Sequence, residues 1–275
     1  MRWWRMPLLL LTLAATPAVA EECAACHPRE AAAFAASAMA TAAASPAFRD
    51  EWTHNGRNPA CLGCHAPSGG AGVICRDCHD ADHHPVARLP VVATCARCHD
   101  APGEVAVRSF LAGPAAGQGR QCLDCHASGD GGHGFAGPSR PGFLDGIARV
   151  TLNARRAGDG WTLVATIAHT AGHDVPGGTT GRSVWLEVVG YDGAGKVRFR
   201  DHARFGWVRT PDGEWKDLLL RVGKIAIVEV ADAGRMGVRR IEAALLYLRD
   251  AGHVDGMSNQ RKVLLDKAGL NLPDE

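Results

Sequence analysis

The sequence predicts an α+β chain in two parts, a mostly irregular and helical amino-terminal half followed by a small antiparallel β-sandwich-like domain. Three observations carry this. All 10 cysteines fall between Cys23 and Cys125. That same stretch is rich in Gly and Pro and poor in Leu, Ile and Phe, so its side chains cannot build a dense aliphatic core. From about residue 142 onward cysteine vanishes, and short alternating apolar runs separated by turn residues take its place. A length of 275 residues allows one or two domains, and the composition divides it into residues 1–20, 21–140 and 141–275.

Residues 1–20 read as an export address. Arg2 and Arg5 precede the apolar stretch Leu8–Ala15, and Ala18-Val19-Ala20 forms a small-residue cleavage site. The mature protein is expected to begin after Ala20 and to reside in the periplasm or outside the cell. The apolar run from Pro7 to Ala20 is 14 residues, too short to span a bilayer. Loss of Arg2 and Arg5 takes the net charge from +1 to about −1, which excludes a strongly basic nucleic-acid binder. Beyond the first motif, the Ala-rich run Pro28–Ala44, with Pro46 after it, is expected to be helical.

The cysteines of residues 21–140 occur only as pairs two residues apart, each followed at once by histidine. The five motifs are Cys23-x-x-Cys26-His27, Cys61-x-x-Cys64-His65, Cys75-x-x-Cys78-His79, Cys95-x-x-Cys98-His99 and Cys122-x-x-Cys125-His126. With histidine at about 5% of positions, five such coincidences by chance have odds of roughly 3 in 10 million. Export makes disulfides chemically possible, but a disulfide framework needs no histidine after each pair. Zinc ribbons use pairs of pairs, which an odd number of pairs cannot complete. C-x-x-C-H is the attachment sequence of c-type haem. The two thiols bond to one porphyrin edge, and the next residue projects its imidazole under the ring as proximal iron ligand. Five covalently attached haems c are therefore expected, and the rings themselves would form the core of this half. First cysteines stand 38, 14, 20 and 27 residues apart, so the rings must lie close together. Their propionates, about two per ring, would make the loaded protein acidic.

Eight histidines remain outside the motifs: His54, His83, His84, His133, His169, His173, His202 and His253. For five irons this makes bis-histidine coordination the default. Context favours His83 and His84 just after the third motif, His133 on a glycine loop after the fifth, His173 in a turn between two strands, and His54 before the second motif. His169 ranks below these, and His202 and His253 read as ordinary strand or loop histidines. Met39 is either a core-filling side chain or an axial thioether that would raise the potential of its haem.

In residues 141–275 the segments Ile147–Arg155, Trp161–His169, Ser183–Tyr191, Val197–Val208, Leu218–Val230 and Val238–Leu248 alternate as strands do. Asp159-Gly160, Asp192-Gly193 and Asp212-Gly213 mark hairpin turns. Regular spacing of short strands suggests an antiparallel sandwich. Ile241–Tyr247 also fits a helix, and a short helix over Ser258–Ala268 is expected to close the chain. No triad, phosphate loop or carboxylate pair stands out here.

Four stretches resemble the periplasmic and extracellular multihaem c-type cytochromes that carry a carboxyl-terminal β-domain. They are Ser37-Ala38-Met39-Ala40, the segment Gly72–His79, the loop Gly132-His133-Gly134-Phe135-Ala136-Gly137, and Ala171-Gly172-His173-Asp174-Val175-Pro176-Gly177-Gly178. The likeness spans about residues 23–200. It implies distal-ligand positions at His133 and His173 and a His-or-Met position at Met39. Relatives usually have Thr where Gly177 stands. Members of that group include soluble electron carriers, subunits of reductases and subunits of cytochrome filaments. The leading expectation is thus an electron carrier whose partners are redox proteins, either other cytochromes or a quinol-oxidising membrane complex. One alternative is an oxidoreductase acting on a small nitrogen or sulfur compound at an open or Met-ligated haem; another is a filament or homo-oligomer subunit.

Overall fold

The computed structural model describes residues 23–79, 91–101, 103–127, 132–157, 160–177, 181–230, 237–248 and 262–272. The expected export segment, together with His83, His84 and His253, lies outside the described residues. Helices occupy the first half: α1 Pro28–Ala35, α2 Pro46–His54, α3 Leu62–His65, α4 Cys75–Cys78, α5 Val91–His99, α6 Ala106–Leu111, α7 Pro114–Gly117 and α8 Cys122–His126. Strands fill the second half: β1 Ala148–Ala157, β2 Gly160–His169, β3 Ser183–Tyr191, β4 Val197–Arg209, β5 Trp215–Asp217, β6 Ala226–Val230, β7 Arg240–Leu248 and β8 Lys262–Asn271. The fold class is the expected α+β.

The two halves are held together differently. Among the described residues before position 140, the buried apolar side chains are Ala66, Val73, Val107 and Ala136, three of them small or loop residues. The helices here are short, below the length at which a helix is stable alone, and α1 to α5 bury no residue fully. The strands instead enclose one continuous core. They pair antiparallel in two sheets, ordered β1-β2-β6 and β5-β4-β3-β7-β8. Inward residues of both sheets, among them Val150, Leu163, Ile167, Leu186, Ile241 and Leu245, meet in that core. The period-two burial of β1 and β3 is what an apolar/polar alternation dictates. Asp266 of β8 accepts the Val150 N–H of β1 at 2.8 Å, tying the sheets at one edge.

Three local expectations are corrected. The first helix stops at Ala35 rather than Ala44, because the chain at Met39–Ala44 turns to pair with the segment before the third motif. Val73 N–H donates to Met39 O at 2.9 Å, and a Cβ at Gly72 would stand 2.5 Å from the Met39 and Ala40 carbonyl oxygens. The stretch Leu218–Val230 is not one strand: Leu220, beyond the end of β5, bridges Val175, and the chain turns at Gly223 (φ 67°) before β6 begins. Of the carboxyl-terminal helix expected over Ser258–Ala268, the described part from Lys262 on is strand, for Lys262–Asn271 forms β8. The apolar strand β7 would otherwise leave one edge unpaired, and β8 covers it while burying Leu265. Ile241–Tyr247 is strand for the same reason.

His169 ends β2 and serves the framework. Its Nε2–H donates to Leu220 O at 3.1 Å, while Nδ1 is buried with no hydrogen-bond partner. Burial holds this imidazole below its ordinary range. The unfolded chain therefore takes up the proton first as pH falls below 6.5, and folded stability is lost on the acid side while being fully present above that value. His169→Gln, which keeps an N–H donor and removes the titration, is expected to flatten this loss. Denaturant unfolding from neutral down to about pH 5 checks it; parallel pH profiles for the two proteins would count against the assignment.

Candidate metal centres

Each C-x-x-C-H motif folds as a helical turn. His27 and His79 donate their backbone N–H groups to the carbonyls of Cys23 and Cys75, both at 2.9 Å, and the second and fifth motifs lie in α3 and α8 with Cys61 at the amino end of α3. The fourth lies at the end of α5. Positions i, i+3 and i+4 share one face of a helix, so each turn presents two thiols and an imidazole to the same side. Aspartate sets two of these turns. Asp77 accepts the Ile74 N–H and Asp124 the Gln121 N–H, each at 2.8 Å, the carboxylate half of a capping box at the start of α4 and α8.

The turns are packed against one another. Thiols of different motifs lie close enough to interact, Cys23 with Cys75, Cys64 with Cys98 and Cys95 with Cys122. Arg97 of the fourth motif donates to the Asp77 carbonyl of the third at 2.7 Å. The fourth motif therefore touches the second, third and fifth. These contacts perturb the thiols: Cys95 bonding to Cys122 draws the Cys122 thiol down to about 7 and pushes Cys95 up, while burial and Cys64 push Cys98 up to about 11. All ten thiols are free of disulfides.

Two motif imidazoles face a second imidazole across a gap. The His79 and His133 rings stand 6.0 Å apart at 28°, and those of His126 and His173 stand 6.2 Å apart at 14°. These gaps are wider than the contact distance of stacked rings, about 3.5–4 Å. Two imidazoles bound to one iron by bonds of about 2 Å, with about 1 Å more from nitrogen to ring centre, stand about 6 Å apart. The protons fit as well. His126 Nδ1–H donates to Ala136 O at 2.7 Å, and His173 Nδ1–H donates to Asp174 O at 2.8 Å. Carbonyls only accept, so Nδ1 carries the proton in both rings and Nε2 keeps its lone pair, the second-shell arrangement that orients metal-binding histidines. Burial keeps His173 neutral. Among the described residues no three His, Cys, Asp or Glu side chains gather as a metal-holding cluster; the donors come as facing pairs.

The glycine loop serves both pairs. His133 faces His79, while Ala136, three residues on, accepts from His126 Nδ1 and donates its N–H to His126 O at 2.7 Å. Between them Phe135 takes a left-handed φ of 33°, costly for a bulky residue and maintained here by edge-on contacts with Phe34 of α1 and with His133.

No family model and no curated protein matches this chain. Among solved structures it is similar to a penta-heme cytochrome c552 from Thermochromatium tepidum, at a TM-score of 0.66 and 17% identity, over 92% of this chain and 98% of that one. The α+β fold resembles that of the penta-heme cytochrome. A second structure, the structural-genomics target SoR45, aligns at a TM-score of 0.24 and 11% identity over 47% of this chain and 89% of its own.

The remaining candidates have other surroundings. His65 is half-buried under Phe48, ring centres 4.0 Å apart, with Nδ1 3.4 Å from Ala42 O. His99 points Nδ1 towards the buried carboxylate of Glu104 at 3.9 Å. His27 is exposed and begins α1, and His54 lies at the exposed end of α2. Met39 is half-buried, its carbonyl fixed by Val73. His202 is exposed on β4 beside Trp185. Sequence reasoning missed Asp174, Ser109, Arg221 and Glu104. Asp174 adjoins a candidate histidine, which is a weak signal, but no local pattern ties it to Arg221, 47 positions away.

Proposed function

We propose that this chain is an exported multihaem c-type cytochrome that carries electrons through five covalently attached haems. The observation that carries the reading is the pairing of motif imidazoles with glycine-loop imidazoles at 6.0 and 6.2 Å. In this reading the ten motif cysteines hold the rings by thioether bonds, and His27, His65, His79, His99 and His126 are proximal ligands. His133 is the distal ligand opposite His79, and His173 the one opposite His126. Bound haem supplies a one-electron iron couple whose potential follows from its ligands, their hydrogen bonds and burial. The chain's own part would be to hold iron between His79 and His133 and between His126 and His173, and to keep neighbouring motifs in contact through Arg97 and α5. Carbonyl partners at His126 and His173 would orient these two ligands through Nδ1. Its partners on this reading are redox proteins on the outer side of the inner membrane. Among the described residues no helix is long and apolar enough to cross a membrane.

Pyridine haemochrome analysis with intact mass on protein exported from a host that matures cytochromes c tests the proposal. Five haems per polypeptide on a chain lacking residues 1–20 is the expected result. A mass equal to the bare polypeptide would overturn it.

A further inference from the structure

Asp174 fastens the loop that carries His173 to the helical half. Asp174 is buried, 5% exposed, and uses every polar group it has. Its carboxylate accepts from Arg221 Nη1 and from Val222 N–H, both at 2.8 Å, on the turn before β6. Its N–H donates to Ser109 Oγ of α6 at 3.1 Å, and its carbonyl accepts from His173 Nδ1 at 2.8 Å. The Ser109 hydroxyl donates back to Val105 O at 2.8 Å, so that oxygen is held in place by the helix. The surrounding fit is close: a Cβ at Gly113 would lie 3.0 Å from Val222 and 3.2 Å from Gly172 O, and one at Gly172 would lie 3.4 Å from Phe110.

We propose that Asp174 is a positioning residue that clamps the β-domain to α6 and thereby presents Nε2 of His173 to the metal held by His126. The inference rests on the reading of His126 and His173 as one axial pair. A distal histidine supplied by a separate domain stays bound only as long as that domain stays docked. The four bonds of Asp174 span all the parts involved: the imidazole, its loop, the Arg221 turn and α6. Asp174→Asn keeps the shape and removes the charge that Arg221 neutralises. Ser109→Ala removes only the acceptor for the loop N–H and leaves the ion pair intact.

The test uses the five-haem holoprotein and reads carbon monoxide binding to the ferrous form, with the midpoint potential of the affected haem. His173→Ala should open one haem in five to carbon monoxide. In Asp174→Asn and Ser109→Ala the same haem should bind it about tenfold faster than in the parent, the scale of one net hydrogen bond lost from a ligand that must dissociate first. Near-ultraviolet circular dichroism from the β-domain tryptophans should stay unchanged, which separates repositioning from unfolding. If His173→Ala opens a haem while both clamp variants bind carbon monoxide at the parental rate, the clamp is wrong and the axial pair stands. If His173→Ala opens none, the axial pair itself is wrong.

Discussion

Gly177→Ala is expected to dislodge His173 from its place opposite His126 while leaving the β-domain folded. A Cβ at position 177 would stand 2.7 Å from His173 Cε1 and 3.2 Å from Nδ1, closer than a methyl group and a ring atom approach. Something must move, and the nearest atoms belong to the end of a rotatable side chain rather than to backbone. Overpacking of this kind costs about 1–3 kcal/mol when a core has to yield. Here the imidazole yields first, so most of the effect falls on ligation. The variant should bind carbon monoxide at one haem of five and show a raised potential there, with a thermal midpoint close to that of the parent protein. Unchanged ligation would mean that the His173 ring does not occupy this place in the loaded protein.

Withholding haem should unfold the amino-terminal half alone. Among its described residues the buried apolar side chains are Ala66, Val73, Val107 and Ala136, whereas the strands share a core containing Leu163, Leu186, Ile241 and Leu245 at 0% exposure. Apolar burial is the dominant favourable term in folding, and only the second half has it without a cofactor. Protein made in the cytoplasm of a host lacking cytochrome c maturation should show strand signal but little helix by circular dichroism. Limited proteolysis should leave a resistant fragment starting near residue 140. A helical half that resisted protease without haem would contradict the idea that macrocycles form its core.

Local sequence carries much of this architecture. Five C-x-x-C-H motifs are self-contained signals, because a single helical turn is enough to bring two thiols and an imidazole to one face. The strands β1 to β4 and β7 follow from period-two alternation, which local sequence records directly. Features that depend on partners distant in the chain are not legible in this way. The helix after the first motif ends at Ala35 because Gly72 and Val73 approach it, and β8 exists because β7 has an edge to fill; neither cause lies within its own segment. The site divides in the same way. His133 and His173 stand out by their glycine-rich surroundings, but which motif each faces depends on tertiary contacts. Asp174 is invisible as a clamp because its partners, Ser109 and Arg221, belong to opposite halves of the chain.

The ribbon from Gly132 to Gly137 links two facing imidazole pairs. One end presents the imidazole opposite His79, and the other grips His126 through the Ala136 amide and carbonyl. A six-residue strap pinned at Phe135 cannot shift at one end without tugging the other. Were irons held between His79 and His133 and between His126 and His173, this strap would couple the two sites, and they would be expected to titrate as a cooperative couple rather than as independent one-electron steps.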